Sequence, residues 1–133
     1  MVDRSHPDVG DSLTLAEYQA LGHVQFRNSG RPTFETWFAR THGDERRVEV
    51  LAASFGLLPQ LVAGTRRVAT LHARQALLAC AGLPVRSVRL AFETPLFTES
   101  LQWHKYRDLD PGSLWLRELF IARARPMPPL AAA

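Results

Sequence analysis

Apolar residues recur along this chain with two alternating periods, one typical of buried strands and one typical of amphipathic helices. The clearest case is residues 46–82, where short apolar runs at 47–53 and 67–71 each precede a segment with apolar positions three and four residues apart. Gly64 and Gly82 follow these segments, where a helix would end. Two strand–helix units in succession predict parallel strands with right-handed crossovers. We therefore expect the chain to be organised around residues 46–82, with strand 47–53 buried on both faces.

The flanking segments continue this alternation of strands and helices. Thr14 and Glu17 have the spacing of a capping box, and Asp110 followed by Pro111 is a typical helix start. The further predicted elements are a helix from Thr14 to about Leu21, a strand at 23–27, a helix from Pro32 to near Gly43, a strand at 85–92, a strand at 97–106 and a helix from Pro111. Such an alternation predicts an α/β fold with a parallel-dominated sheet.

Composition and charge bound the class of protein more than its function. The chain has 133 residues, of which 46% are hydrophobic and 22% charged, as in one globular domain or one lobe of a larger one. No apolar run is long enough to cross a bilayer, and the N-terminal residues lack the apolar core of a signal peptide, so a cytoplasmic protein without membrane contact is expected. The basic residues behind the net charge of +3 are scattered, without a helix-turn-helix pattern, which does not favour direct DNA binding.

No pattern in the sequence is typical of a catalytic or metal site. The histidines lack the helical spacing of metal ligands, and the sequence around Ser54, Ala-Ala-Ser-Phe-Gly, is not the GxSxG of a nucleophile elbow. Cys80, the single cysteine, lies on the apolar side of a predicted helix and is interpreted as a structural thiol. We therefore expect no enzyme activity, no metal and no cofactor.

The ends of the predicted strands form the candidate ligand site. Parallel α/β sheets bind ligands outside the carboxyl ends of their strands, and unpaired amides at helix N-termini attract anions. Ser54 and Phe55 follow strand 47–53, while Thr65 and Thr70 bracket the next strand. Amides and hydroxyls there would hold a carboxylate, with Phe55 over an apolar ring. The alternative is that these residues only cap helices and pack.

Several phrases, in their order and spacing, resemble the effector-binding domain of LysR-type transcriptional regulators. They are Arg4-Ser5-His6-Pro7, Leu13-Thr14-Leu15-Ala16-Glu17-Tyr18, Gly22-His23-Val24, Leu58-Pro59-Gln60-Leu61-Val62-Ala63-Gly64-Thr65, Arg67-Val68-Ala69-Thr70 and Gln102-Trp103-His104. The stretch from Tyr106 to Gly112, with Trp115-Leu116-Arg117, is especially similar to the branch that holds the nodulation and naphthalene-degradation regulators. The resemblance covers roughly residues 4–124.

The resemblance implies a fold similar to that of type 2 periplasmic binding proteins, with two α/β lobes around a small inducer. It assigns residues 1–10 to a crossover or linker, 11–90 to the effector-binding second lobe, 91–124 to the returning strand and helix of an incomplete first lobe, and 125–133 to a disordered tail. Family members act on DNA as dimers or tetramers, through an N-terminal winged helix-turn-helix that we expect this truncated chain to lack. A homodimer is therefore expected, with DNA bound only through that missing part.

The resemblance also implies which residues contact the inducer. In aromatic-acid-responsive members, cleft contacts come from a histidine at the position of His23 and from the turn that matches Ser54 and Phe55. The predicted ligand-binding set is His23, Gln25, Ser54, Phe55, Thr65 and Thr70. The alternative for His23 is a satisfied imidazole at a strand edge. The implied function is a small-molecule effector domain that senses an aromatic carboxylate or a similar inducer. The alternative function is a dimerisation or interaction fragment that senses nothing.

Overall fold

Strands and helices alternate along the first ninety residues, as the apolar pattern predicts. The structure, a computed structural model, describes residues 1–27 and 33–127, and it divides after Pro95 into two units. The elements of the first unit are β1 (Val2–Asp3), β2 (Ser12–Leu13), α1 (Leu15–Ala20), β3 (Gly22–Phe26), α2 (Phe34–His42), β4 (Arg47–Ala52), a 3₁₀ turn (Phe55–Leu57), α3 (Leu58–Val62), β5 (Arg67–Ala69), α4 (Ala73–Gly82), β6 (Val85–Arg86) and β7 (Arg89–Leu90). The second unit holds a 3₁₀ turn (Lys105–Arg107) and α5 (Pro111–Ala124). The predicted α/β class is confirmed.

The main sheet consists of three parallel strands in the order β4-β3-β5. Gly22 of β3 lies opposite Arg47 on one side and Arg67 on the other, and Phe26 lies opposite Ala52. Two shorter pairs accompany it, β2 with β7 in parallel and β1 with β6 antiparallel. The predicted parallel-dominated sheet and its strands near 23–27, 47–53 and 67–71 are confirmed, within the residue or two by which strand ends vary.

The centre of this sheet is not where the sequence predicts it. β3, which lies outside residues 46–82, is the strand with a neighbour on both sides, and β4 is at an edge. Val48 and Leu51 of β4 are 40% and 56% exposed, so the expectation that this strand is buried on both faces was wrong. The apolar pattern indicates that a segment suits a strand, but the order of strands depends on where each crossover returns to the sheet.

Two later predictions were also wrong in detail. Segment 85–92 is two short strands with different partners, because β6 pairs with β1 and β7 pairs with β2. Segment 97–106 forms no strand and ends in a 3₁₀ turn at Lys105–Arg107. The described residues of the second unit contain no strand, and an extended segment with no partner strand has no ladder of hydrogen bonds to hold it.

Helices cover both faces of the main sheet. On one, the α1/α2 face, Tyr18 and Phe38 pack in a cluster with Val68 of β5. On the other, the α3/α4 face, Leu58 packs in a cluster with Val24 of β3. Each of these side chains is almost completely buried, which stabilises the fold by roughly 1.5–3 kcal/mol per large apolar residue. β1 lies within the segment 1–10, and its Val2 is buried in the first cluster.

The predicted helix ends are present. Thr14 and Glu17 form a capping box at α1, and Asp110 caps α5 by accepting a hydrogen bond from the amide of Ser113. Gly64, just after α3, has a φ of 70°, and its amide donates to the Asp3 carboxylate at 2.6 Å. No helix in the described residues is long and apolar enough to cross a membrane.

The second unit is organised by a tryptophan and an arginine. The Arg117 guanidinium stacks on the Trp103 ring at 4.5 Å and donates to the Asp108 carbonyl oxygen at 2.7 Å. The Trp103 indole N–H in turn donates to the Asp108 carboxylate at 2.7 Å. Within this unit, however, Trp115 and Phe120 of α5 remain more than half exposed.

Candidate functional site

The helices that follow β3 and β4 along the chain lie on opposite faces of the main sheet. The chain after β3 leads to α2 on the α1/α2 face, whereas the chain after β4 leads to α3 on the other face. In open α/β sheets, ligands bind outside the carboxyl ends of the strands. We use the name switch point for the carboxyl ends of β3 and β4, residues 25–27 and 52–55. The Arg27 amide donates to the Ala52 carbonyl oxygen at 2.8 Å and joins the two strand ends.

Gln25 places an unsatisfied amide at the switch point. Its side chain alternates with those of Val24 and Phe26 along β3 and therefore lies on the α1/α2 face. Only 9% of Gln25 is exposed, and its Nε2 has no hydrogen-bond partner among the described residues. A buried amide left unpaired costs about 1–3 kcal/mol. An acceptor group of a ligand would remove that cost.

Ser54 and Phe55 lie at the β4 side of the switch point. The exposed Ser54 hydroxyl accepts a hydrogen bond from the Gly56 amide at 3.2 Å and so caps the 3₁₀ turn. The Phe55 ring stacks on the Phe26 ring, with centroids 4.3 Å apart and planes at 19°. The two rings form an apolar wall, and Phe55 also lines a groove of about 420 Å³ between α3 and α4. Because Ser54 already uses one turn amide, fewer amides are left for an anion than the sequence predicts.

Thr70 and Thr65 lie at opposite ends of β5. Thr70 follows the carboxyl end, and its Oγ1 is 2.7 Å from the Tyr18 hydroxyl. Burial raises the pKa of Tyr18 to about 12, so this hydroxyl is a neutral phenol. Thr65 precedes the strand, where its hydroxyl donates to the Val62 carbonyl oxygen at 2.8 Å and accepts from the Arg67 amide at 3.2 Å. Thr70 therefore lies at the same carboxyl end of the sheet as Ser54 and Phe55, and Thr65 lies at the opposite end.

His23 is enclosed in the core. It is 1% exposed, and its Nε2–H donates to the Tyr18 carbonyl oxygen at 2.8 Å. Burial lowers the pKa of His23 to about 4, which keeps the imidazole neutral at pH 7. The ring also meets the Tyr18 ring edge-on, with centroids 4.6 Å apart. His23 lies two residues before Gln25 on the same face of β3, but with its ring enclosed and its Nε2 occupied. Its predicted contact with a ligand stays a prediction.

The sequence analysis missed two arginines. Arg46, one of the scattered basic residues, is buried against α2, where its guanidinium bonds Glu35 at 2.8 Å and lies 4.3 Å from the centre of the Phe38 ring. Burial raises the pKa of the Glu35 carboxyl, and the hydrogen bond from Arg46 opposes that shift. Arg27 is exposed at the switch point. A basic residue directly after a predicted strand was the available signal for Arg27.

Comparison with known proteins gives relatives and a structural neighbour. No protein-family model matches the chain. Nodulation protein D 2 of Rhizobium tropici is 36% identical over 123 residues, which is 91% of this chain and 39% of that protein. Nodulation protein D 1 of Sinorhizobium fredii (strain NBRC 101917 / NGR234) is 41% identical over 115 residues, 84% of this chain and 35% of that protein. This chain therefore spans well under half the length of these curated relatives.

One structural neighbour is the regulatory domain of MexT, a transcriptional activator in Pseudomonas aeruginosa. The two structures match with a TM-score of 0.67 and 27% sequence identity. The match covers 86% of this chain and 58% of the MexT regulatory domain. The strand and helix order described above is therefore shared with a domain of known regulatory role.

Proposed function

We propose, from the premise that this chain is a homologue of the LysR-type transcriptional regulators, that it contains the part of such a regulator that binds a small-molecule effector. Identities of 35–41% to nodulation proteins D confirm the family resemblance. The likeness to the MexT regulatory domain confirms the predicted type 2 periplasmic-binding-protein-like fold. Effector binding by this chain is our inference from these relationships and from the switch point.

The observation that carries the proposal is the buried side-chain amide of Gln25, which has no partner in residues 1–27 and 33–127. Buried polar groups in proteins almost always have a hydrogen-bond partner, so each exception needs an explanation. Here the exception lies at the carboxyl end of the central strand, beside the crevice where open α/β sheets bind ligands. A ligand whose acceptor oxygen approaches Nε2 explains both the unpaired amide and its position.

We propose an aromatic carboxylate, or a similar small organic acid, as the effector. The stacked rings of Phe26 and Phe55 supply an apolar wall on the α3/α4 face, and the Gln25 amide supplies a polar contact on the α1/α2 face. An effector that spans the carboxyl edge of the sheet, beside the exposed Ser54 hydroxyl, would meet both. Thr70 is the further polar group at the carboxyl end. His23 and Thr65 complete the predicted set and stay predictions, since both have intramolecular partners here.

In the whole regulator, we propose that effector binding acts on DNA through a winged helix-turn-helix outside this sequence. Such a regulator would work in the cytoplasm as a homodimer. Because the relatives are regulators, we propose that this chain has no catalytic activity. A turnover screen that found hydrolysis dependent on Ser54 or His23 would contradict this last point.

Titration of the ¹⁵N-labelled chain with salicylate and benzoate tests the proposal. We expect dissociation constants near 1 mM, or about −4 kcal/mol. Chemical shifts should change at the backbone amides of Ser54 and Phe55 and at the side-chain amide of Gln25, and saturate together. Small uniform shifts, or shifts confined to the second unit, would contradict effector binding at the switch point.

A second candidate function is an interaction module that assembles without sensing an effector. The observation in its favour is the exposed apolar surface of the second unit, in which Trp115 is 64% and Phe120 53% exposed. Surfaces of this kind mark sites of protein association. Light scattering across a concentration series separates the two functions. A tight dimer without any response to aromatic acids would favour the interaction module.

A further inference from the structure

We propose that Arg27 binds the carboxylate of the effector together with the side-chain amide of Gln25. The inference rests on the effector-binding function proposed above and names the residue that would give the site its preference for acids. Arg27 was not in the set predicted from the sequence. It is assigned from its position at the switch point, its free guanidinium and its relation to Gln25.

Arg27 differs from most arginines of the first unit because its guanidinium has no partner among the described residues. Arg46 bonds Glu35 at 2.8 Å, Arg67 bonds Glu49 at 2.7 Å, and Arg66 pairs with Asp8. Two others donate to main-chain oxygens, Arg4 to those of Cys80 and Leu83 and Arg86 to those of Val9 and Gly10. In residues 1–27 and 33–127, no hydrogen bond or ion pair satisfies the Arg27 guanidinium.

Arg27 directly follows β3, and strand alternation places its side chain on the same side as that of Gln25. Their side chains are two residues apart, and alternate residues of a strand point to the same face, about 6.6 Å apart along it. The backbone of Arg27 is fixed by its hydrogen bond to Ala52 on the neighbouring strand. Both side chains are long enough to meet over that distance. One end of the pair is a buried amide without a partner, and the other is an exposed cation.

One carboxylate satisfies both groups. Its two oxygens have about four acceptor sites, while guanidinium presents paired N–H donors and the glutamine amide presents two more. Arginine binds planar carboxylates through two parallel hydrogen bonds, and charge-assisted bonds are roughly twice as strong as neutral ones. A neutral ligand would engage the amide of Gln25 and gain little from Arg27. The pair therefore predicts selection of an acid over the corresponding neutral compound.

Benzoate and benzamide are the probes that test this selection, since they share a ring and differ in charge. In NMR titrations of the full chain, we expect benzoate to bind at least tenfold more tightly than benzamide. Arg27→Gln should weaken benzoate about tenfold and leave benzamide unchanged. Arg27→Lys, which keeps the charge, should retain part of the preference. Gln25→Met should weaken both probes, because both offer an oxygen to the amide.

Arg40→Gln is the matched control. Arg40 is also an exposed arginine, but it lies in the last turn of α2, away from the switch point. Its substitution removes the same charge and should leave the ratio of the two affinities unchanged. Because Arg27 is exposed, its variants are expected to fold, and an unchanged dispersion of amide signals verifies this.

Two outcomes would overturn the inference, and they differ in what they say of the proposed function. If Arg27→Gln binds benzoate as the parent does, while Ser54, Phe55 and Gln25 still shift, the effector site stands and Arg27 is not its anchor. If neither probe shifts any signal at the switch point of the parent chain, effector binding there and the role of Arg27 are both refuted. Loss of preference in Arg40→Gln as well would assign the effect to net charge and would also overturn the role of Arg27.

Discussion

The polar side chains at the amino end of the main sheet are paired with one another, whereas some of those at its carboxyl end lack partners in the described residues. At the amino end, the Glu49 carboxylate bonds Arg47 at 3.1 Å and Arg67 at 2.7 Å, and so links the two strands that flank β3. The Arg67 hydrogen bond is the main reason why the pKa of Glu49 is lowered. At the carboxyl end, Gln25 and Arg27 have side-chain donors without partners in the described residues. Polar groups that are paired within the protein stabilise the fold, whereas unpaired donors are free to bond a ligand.

Gly22 leaves the space at the amino end that the Glu49 carboxylate occupies when it bonds Arg47 and Arg67. A Cβ on this central residue would lie 2.4 Å from Oε1 of Glu49, so a side chain here would displace the carboxylate. No positive φ is involved, since Gly22 is an ordinary strand residue. In the sequence, Gly22 falls between the predicted helix that ends at about Leu21 and the predicted strand at 23–27, and the nearby carboxylate is the structural reason for a glycine there.

The largest expected effect concerns His23, which is buried within the same strand. The pKa of His23 is about 4 in the folded chain and about 6.5 when unfolded, so below pH 6.5 the unfolded state binds more protons. Stability should therefore fall as the pH falls from about 6.5 to 4, by up to about 3 kcal/mol from this residue. Urea unfolding at a series of pH values measures it. His23→Asn should flatten the difference, and an equally steep loss in that variant would contradict the assignment.

The next largest effect on stability concerns the amino end of the sheet, where Glu49 is paired. Gly22→Ala should destabilise the fold by up to about 1 kcal/mol, because the new methyl group forces the flexible end of Glu49 away from Arg47 and Arg67. Thermal or urea unfolding measures the loss. Gly10→Ala is the control, since a Cβ there meets nothing within 4 Å. A Gly22→Ala variant as stable as the control would show that the carboxylate moves aside without cost.

Gln25→Met tests the carboxyl end of the sheet, and it should stabilise the fold where Gly22→Ala destabilises it. Replacing an unpaired buried amide by an apolar side chain of similar size should stabilise the fold by about 1 kcal/mol. The same variant should lose affinity for benzoate, so stability and binding change in opposite directions. Gln75→Met, at an exposed position of α4, is the control and should change neither. A destabilised Gln25→Met variant would indicate that the amide has a structural partner.

The smallest effect is that of Glu49→Gln. Partly exposed ion pairs contribute roughly 0–1 kcal/mol each, so the loss should be under about 1 kcal/mol. It should shrink further as salt is added, because mobile ions screen such pairs. Unfolding curves at low and high salt measure both. A salt-independent loss would indicate that the hydrogen bonds, rather than the charges, hold the strands.

Local signals in the sequence predicted the elements of the fold but not their arrangement. The capping residues Thr14 and Asp110 act on their own helices, so they could be identified from a few neighbouring residues. The edge position of β4 depends on where distant segments dock, and no local pattern reports that. Segment 97–106 alternates like a strand, yet alternation cannot supply a partner strand.

The candidate site was predicted in outline for the same reason. Ser54, Phe55 and Thr70 follow strand ends, which the sequence reveals, and the structure brings them to the carboxyl end of the sheet. The unsatisfied amide of Gln25 and the free charge of Arg27 are properties of the packed protein. Whether a polar group lacks a partner is decided by every neighbour at once, and a sequence lists only the neighbours along the chain.

The pairing of β1 with β6 and of β2 with β7 has a consequence for how this protein folds. Val2 pairs with Arg86 and Ser12 pairs with Arg89, so these contacts close nearly the whole first unit into one loop. Contacts between residues so far apart in the sequence require a large loss of loop-closure entropy before any stabilising interaction forms. This slows folding. β3, β4 and β5 are joined by much shorter crossovers and should assemble first. In a kinetic experiment, Val2→Ala should therefore speed unfolding and leave the folding rate nearly unchanged.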